Sequence, residues 1–188
     1  MPTAKRPVLD DAAVLQALGH PVRLDVLNHL MAEGPATASA CARAVGDTPS
    51  NCSYHLRALA RFGLVERDES GDGRERPWRA AITGFDIDDS APGKAGDAAA
   101  GVLAAALQLD QRLARDYLAD RDGVDPAWRA ADAFSQYSLR ITPRELTRLL
   151  ADVDSLIRPF IAATREKAPA KAAQVHLGVQ AFRRAPAT

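Results

Sequence analysis

The chain has 188 residues, of which 47% are hydrophobic and 26% charged, so it can form one or two globular domains that each bury a core. Its 24 basic and 24 acidic residues cancel, which excludes a strongly basic, non-specific nucleic-acid binder but allows a local basic face. The N-terminus lacks the apolar core of a secretory signal, and no stretch reaches the roughly 18 apolar residues of a membrane span. We therefore expect a cytoplasmic protein with reduced thiols and no membrane contact.

Start and stop signals for four helices fill the first sixty residues, behind a loose arm at residues 1–8. Asp10 or Asp11 can cap the first helix, and Thr37 or Ser39 the third, because short polar side chains accept hydrogen bonds from the free N–H groups of a first turn. Apolar residues recur at helical spacing between these signals. The first, third and fourth helices are predicted to end at Leu18, Val45 and Arg61, and the second is stopped by Gly34-Pro35.

A tight turn separates the third and fourth predicted helices. Gly46 can adopt a left-handed backbone there, and Ala42 is small enough to let the two helices cross closely. Thr48 caps the fourth helix, with Asn51 in the position that Glu occupies in a capping box. The side chains expected to face inward at this crossing are Cys41, Ala44, Val45 and Cys52.

A β-hairpin is predicted after the fourth helix. The segment LVERDE (64–69) has strand character, residues 70–73 are a strong turn signal, and RERPWRAA (74–81) is typical of a returning edge strand because it contains Pro77. A tight turn between two helices, followed by a hairpin with a basic tip, is the element order of a winged helix-turn-helix domain. In such a domain the fourth helix enters the DNA major groove with its N-terminus first.

Two linked motifs resemble a known family. The stretches ALGHPVRLDVL (17–27) and SNCSYHLRALARFGLVERDESGDGRERPWR (50–79) are similar to the arsenical-repressor (ArsR) family of winged-helix regulators. The resemblance implies that the helix at 48–61 reads base edges and that arginines of this helix and the wing contact phosphates or the minor groove. The DNA-binding residues it implies are Thr48, Ser50, Asn51, Ser53, Tyr54, His55, Arg57, Arg61, Arg74 and Arg76.

Several of these residues have an alternative interpretation that does not involve DNA. His55 either contacts the groove or braces the helix against the wing, and any of the arginines can belong to an ordinary solvated face. Asp47 departs from the family pattern, because it can cap the helix but places a negative charge near the phosphates. His20 and His29 are expected to pack or cap rather than to bind a ligand.

The two cysteines raise the question of a sensor. Many members of the resembled family bind metal ions through paired cysteines on the third helix, but here the matching stretch holds Cys41 alone, so we expect no metal site of that kind and no cofactor. Cys41 and Cys52 lie on facing helices and can form a redox pair. The alternative, which we favour, is that both are small apolar core residues.

The second half is predicted to be helical behind a linker at residues 86–97. A helix at 98–118 carries an apolar stripe at spacings of three and four, suited to a dimer contact. Segments 134–141 and 174–182 have strand patterns, and a capping box opens a helix between them that Pro159 ends or kinks. The stripe comprises Val102, Ala106, Leu109, Leu113 and Tyr117. The helix that the capping box opens is expected to bury Leu146, Leu149, Leu150, Val153, Leu156, Ile157, Phe160 and Ile161.

These observations predict a mainly α (α+β) chain with a DNA-binding domain at 1–85, a linker at 86–97 and a helical dimerisation region at 98–188. The expected function is a sequence-specific transcription regulator, by family default a repressor, that binds an inverted repeat in double-stranded DNA as a homodimer. Segment 134–182 either forms a crevice for a small-molecule effector or only buttresses the dimer. The alternative function is a winged-helix protein-interaction module. No nucleophile elbow, P-loop or dinucleotide fingerprint is present, so we expect no enzyme.

Overall fold

The structure, a computed structural model, describes residues 7–69, 76–88, 92–161 and 168–184. The helices are α1 (Ala12–Leu18), α2 (Pro21–Glu33), α3 (Ala38–Val45), α4 (Pro49–Ala60), α5 (Lys94–Ala119), α6 (Pro126–Ala131) and α7 (Pro143–Ile157). The strands are β1 (Val8–Leu9), β2 (Val65–Arg67), β3 (Trp78–Ala80) and β4 (Asp86–Ile87). This confirms the mainly α (α+β) class. Within the described parts of the chain, the helices are too short or too polar to cross a membrane.

The helix caps follow from local sequence. The Asp11 carboxylate accepts hydrogen bonds from the backbone N–H groups of Ala13 and Val14, at 2.7 and 3.1 Å. The Thr37 hydroxyl accepts one from Ala40 at 3.2 Å. Of the two candidates at each position, the structure thus selects Asp11 and Thr37. These bonds satisfy first-turn donors that no helical carbonyl can reach.

The predicted turn between α3 and α4 is present. Gly46 has φ 69° and ψ 38°, the left-handed conformation that glycine adopts at least cost. The N–H of Asp47 donates to the carbonyl of Ala42 at 2.9 Å, which closes the turn. Cys41 and Cys52 are fully buried at the crossing, as predicted, but Ala44 is exposed and Ala42 takes the inward position instead.

The wing is a hairpin of β2 and β3 with one further strand-like contact. Val65 pairs with Ala80 and Arg67 with Trp78 in an antiparallel register. Ala36, before α3, bridges Trp78 through backbone hydrogen bonds of 2.9 and 2.8 Å. The predicted hairpin tip at 70–73 lies outside the described residues.

Two short strands pair in parallel where the sequence indicated no regular secondary structure. Val8 and Leu9 of β1 pair with Asp86 and Ile87 of β4. The predictions of a loose arm at 1–8 and a linker from residue 86 are therefore wrong at these positions. Two-residue strands are too short to show an alternating pattern, and their partners are almost eighty residues apart, so no local signal exists.

Helix α5 packs against α1 and α2 and completes the core of the N-terminal half. It begins at Lys94, inside the predicted linker, and Arg112 on it forms an ion pair with Asp25 of α2 at 2.6 Å. A Cβ added to Gly19 would lie 3.6 Å from the backbone carbon of Gly101, so the end of α1 approaches α5 closely. The apolar side chains of α5 that are buried there are Ala98, Ala99, Val102, Ala105 and Leu109. The stripe predicted for dimer contact is thus largely covered within the chain.

The C-terminal region differs most from expectation. The capping box of α7 is confirmed, with reciprocal bonds between Thr142 and Glu145, and the helix ends at Ile157 before a 3-10 turn that contains Pro159. However, α7 has no fully buried residue: Leu146, Val153 and Ile157 are half-buried, whereas Leu149, Leu150 and Leu156 are exposed. The predicted burial of its apolar face is therefore only partial. Segments 134–141 and 174–182, predicted as strands, have no regular secondary structure and form no strand ladder with described residues.

Candidate nucleic-acid interface

Helix α4 divides cleanly into a buried and an exposed face. The buried face is formed by Cys52, His55, Leu56 and Leu59, at spacings of three and four. On the opposite side Tyr54 has 64% of its surface exposed, and Ser53 is half-buried. The remaining predicted contact residues on or beside this helix are exposed: Thr48, Ser50, Asn51, Arg57 and Arg61. The helix therefore presents a polar face around its N-terminal half.

His55 does not belong to that face. Only 3% of its surface is exposed, and its ring lies against His20, with centroids 4.7 Å apart. Neither ring nitrogen has a hydrogen-bond partner among the described residues, and Nε2 lies 4.0 Å from the Asp47 carboxylate. Of the two roles left open by the sequence, bracing the helix is the one that this burial supports. His20, at the N-cap of α2, makes no capping hydrogen bond and packs instead.

Burial lowers the pKa of His55, and the nearby His20 and Arg23 lower it further, while Asp47 acts in the opposite direction. The unfolded chain therefore takes up a proton near the ordinary histidine pKa of about 6.5, whereas the folded domain resists it until a lower pH. We expect the free energy of unfolding to decline as pH falls through this window. Urea unfolding at pH 7.5 and 5.5 measures the decline, which should be smaller in His55→Phe. Equal declines in both proteins would contradict this prediction.

A small hydrogen-bond network holds the start of α4. The Thr48 hydroxyl accepts from the N–H of Asn51 at 3.2 Å, as predicted for the cap. Asp47 accepts from the backbone of Thr48 and from the Asn51 side-chain amide, both at 2.7 Å. Asn51 therefore does not return a bond to the cap, as a capping-box Glu does. Its amide nitrogen instead donates to Asp47, which leaves the second N–H of the amide for another acceptor.

The arginines of this surface differ in how freely they can contact DNA. Arg57 donates to the carbonyl of Ser53 on its own helix at 3.0 Å. Arg76 is exposed, and Arg74 lies outside the described residues. Sequence reasoning did not select Arg67, whose guanidinium lies 3.9 Å from the centre of the Trp78 ring. The sequence signal that could identify Arg67 is its position opposite Trp78 on the neighbouring strand, and that position is known only once the hairpin register is known.

The remaining arginine of the wing is already paired. Arg79 lies 2.6 Å from the Glu66 carboxylate and 3.8 Å from that of Asp68. Its charge is therefore largely compensated within the hairpin. Arg67 and Arg76 are the described wing arginines better placed to contribute positive charge to a phosphate contact.

The two thiols are buried in the helix crossing. Cys41 and Cys52 are not joined by a disulfide. Burial, with Asp47 as a smaller influence, raises the pKa of Cys52. A raised pKa reduces the thiolate that reacts with oxidants. In the described ranges, no three His, Cys, Asp or Glu side chains come together as a possible metal site. The redox pair and the absence of a metal both remain predictions.

Residues 18–68 match the family model described as "Helix-turn-helix domain". A solution structure from Mycobacterium bovis, described as a homodimeric winged helix-turn-helix DNA-binding domain of a possible ArsR-family transcriptional regulator, is 29% identical. The similarity covers 54% of this chain and 80% of that one, with a TM-score of 0.34. The protein RV1404 from Mycobacterium tuberculosis is 15% identical over 77% of this chain and 82% of its own, with a TM-score of 0.31. No protein with a curated description matches.

The fold and the family match together define the class. Helices α3 and α4, the Gly46 turn and the β2–β3 hairpin form a winged helix-turn-helix domain. The N-terminal half of the chain therefore contains the winged helix-turn-helix that its motifs predicted, and the match of residues 18–68 to the helix-turn-helix family model agrees with it.

Proposed function

We propose that this chain is a transcription regulator that binds double-stranded DNA in a sequence-specific manner through α4. The observation that carries the proposal is the division of α4 into a buried face, which fixes the helix, and an exposed polar face around Ser50, Asn51 and Tyr54. Serine and asparagine side chains can hydrogen-bond to base edges, and asparagine can bind adenine through two bonds. The hairpin beside the helix supplies arginines that can contact the phosphates of the DNA backbone.

The chain is neutral, so its attraction to DNA must come from this local surface. A single small recognition surface of this kind binds weakly. We therefore propose a homodimer that presents two copies of α4 to an inverted repeat and acts in the cytoplasm, with repression as the default outcome. Catalysis has no part in this proposal.

The competing function is a winged-helix module that binds proteins. A protein-binding surface is usually enriched in large apolar and aromatic side chains at its centre. On the exposed face of α4, Tyr54 is the one large aromatic, and its neighbours Ser50 and Asn51 are small and polar. This composition favours DNA.

Selection from a pool of random duplex DNA with the purified full chain tests the proposal. We expect enrichment of an inverted repeat. Asn51→Ala should weaken binding to the selected duplex by about tenfold or more, because one bidentate base contact contributes about 1–3 kcal/mol of discrimination. Gln108→Ala, an exposed change on α5, is the matched control and should bind as the wild type does. If no sequence is enriched, the proposal fails.

Asp47→Asn is expected to increase affinity for the same duplex by about two- to tenfold. The change removes a negative charge close to the phosphates and retains an oxygen that can accept from Thr48. It also exchanges a strong charged acceptor of the Asn51 amide for a weaker one. Fluorescence anisotropy titrations at two salt concentrations measure the effect. The control is Asp116→Asn on the exposed side of α5. It removes one negative charge at a site outside α4 and should change affinity little.

A further inference from the structure

The amide of Asn51 lies at the end of α4 that is expected to enter the major groove. Asn51 is the third residue of the helix and is exposed. Its backbone N–H donates to the Thr48 hydroxyl at 3.2 Å, so the residue is held in the capped first turn. Residues of the first turn of a recognition helix come closest to the base edges. The base contact that Asn51 can make therefore depends on which way its amide faces.

An asparagine amide on a free surface can turn over, which exchanges the positions of its oxygen and nitrogen. In this chain the Asn51 nitrogen donates to a carboxylate oxygen of Asp47 at 2.7 Å. An ionised carboxylate only accepts hydrogen bonds, so a turned amide would place two acceptor oxygens against each other. The hydrogen bond to Asp47 therefore fixes the orientation of the amide.

Asp47 is itself held in place by the start of the helix. Its other carboxylate oxygen accepts from the backbone N–H of Thr48 at 2.7 Å. Only 17% of the Asp47 side chain is exposed, and Nε2 of the buried His55 lies 4.0 Å from the oxygen that Asn51 contacts. Hydrogen bonds to an ionised acceptor are about twice as strong as those between neutral groups. Asp47 is therefore an anchored acceptor behind an exposed amide.

The groups that Asn51 leaves for another partner are its amide oxygen, which accepts, and its second N–H, which donates. In the major groove adenine offers the complementary pair, because its N7 atom accepts and its N6 amino group donates. Guanine offers two acceptors, so the Asn51 oxygen would face another acceptor there. Cytosine offers only a donor, and thymine an acceptor beside a methyl group. An amide of fixed orientation therefore matches adenine best.

We propose that Asp47 is a positioning residue that makes Asn51 selective for adenine at one base pair of the recognised site. Asp47 takes the N–H that points away from the Asn51 oxygen. The N–H beside that oxygen then donates to N7 of the base, while the oxygen accepts from the N6 amino group. The inference rests on the proposed function and names the base that Asn51 reads. It also gives the charge of Asp47 a role, because this charge lowers affinity for DNA but fixes the amide that selects the base.

Modified bases test the adenine contact in the wild-type chain. The base pair is located first, as the position of the selected duplex whose preference disappears in Asn51→Ala. Adenine there is then replaced by 7-deazaadenine, which lacks the N7 acceptor, or by purine, which lacks the N6 amino group. Each replacement should weaken wild-type binding by about three- to tenfold, the effect of one lost hydrogen bond, and leave Asn51→Ala unaffected. A preference for another base, or full-strength binding to both modified sites, would overturn the inference.

The ratio of affinities for adenine and guanine at this position tests the role of Asp47. In Asp47→Asn the ratio should fall by at least about threefold while overall affinity rises, because a charged acceptor no longer holds the amide. Asp47→Glu keeps the charge but moves the carboxylate by one methylene, so it should lose selectivity without gaining affinity. Asp116→Asn is the matched control, and circular dichroism monitors the fold of each variant. A ratio unchanged in both Asp47 variants would contradict the positioning role.

A double variant shows whether Asp47 acts through Asn51. In the Asn51→Ala background, Asp47→Asn should leave the adenine-to-guanine ratio unchanged, whereas a general effect of charge or folding would persist. A ratio that still falls in that background defeats the coupling. The outcomes also separate this inference from the proposed function. If no sequence is enriched, the proposed function fails and the inference with it. If a sequence is selected but Asp47→Asn and Asp47→Glu keep the selectivity of the wild type, only this inference fails.

Discussion

Replacing Leu56 by alanine is expected to lower the free energy of unfolding by about 2–5 kcal/mol and to abolish DNA binding at temperatures where the variant melts. Leu56 has no exposed surface and lies in the middle of the buried face of α4. Alanine would remove apolar contacts and leave a cavity under the helix that carries the proposed base contacts. Urea unfolding followed by circular dichroism measures the loss.

The neighbouring residue provides the control for this experiment. Arg57 is exposed on the opposite side of the same helix, so Arg57→Ala should change the free energy of unfolding by less than about 0.5 kcal/mol. A loss below about 1 kcal/mol for Leu56→Ala would contradict the packing described here. The pair also separates two effects on DNA, because Leu56→Ala acts through the fold, whereas Arg57→Ala acts on the surface.

Local signals explain why much of the helix-turn-helix could be predicted from the sequence. The caps at Asp11, Thr37 and Thr48 depend on side chains within three residues of the N–H groups they bond. The Gly46 turn depends on one residue without a Cβ. The polar face of α4 follows from a period of 3.6 residues. Each of these features is determined by residues within about one turn of helix, so the local sequence is sufficient to predict it.

Features that depend on distant contacts could not be predicted in the same way. The pairing of β1 with β4 joins two-residue segments that carry no pattern. The burial of His55 depends on His20 and Arg23, which approach only after α2 and α4 pack. The hydrogen bond from the Asn51 amide to Asp47 joins two side chains four residues apart, and helical spacing alone does not decide that it forms. These contacts determine which polar groups of the interface are free.

The helices of the second half show the limit of periodicity most clearly. An apolar stripe indicates that a helix is covered, but not what covers it. The sequence predicted a dimer contact for the stripe of α5 and a buried apolar face for α7. In this chain the α5 stripe packs mainly against α1 and α2, whereas the equally regular stripe of α7 has no fully buried residue.

Val102→Asp is therefore expected to unfold the N-terminal half rather than to dissociate a dimer. Val102 has no exposed surface, and a charge placed there without a partner costs several kcal/mol, a large fraction of the stability of a small domain. Ala104→Asp, on the exposed side of the same helix, should cost less than about 1 kcal/mol. Unfolding curves monitored by circular dichroism compare the two, and Val102→Ala provides a milder variant that stays folded.

The alternative, in which this stripe forms a dimer contact, gives a different result. In that case Val102→Asp would leave a folded monomer whose unfolding does not depend on protein concentration. A fragment comparison gives an independent measurement. Residues 1–85, the domain boundary expected from the sequence, lack the helix that covers Leu15 and Leu18, so this fragment should be largely unfolded. A fragment of residues 1–120 includes α5 and should fold. If both fragments fold equally well, α5 is not part of the core that supports the recognition helix.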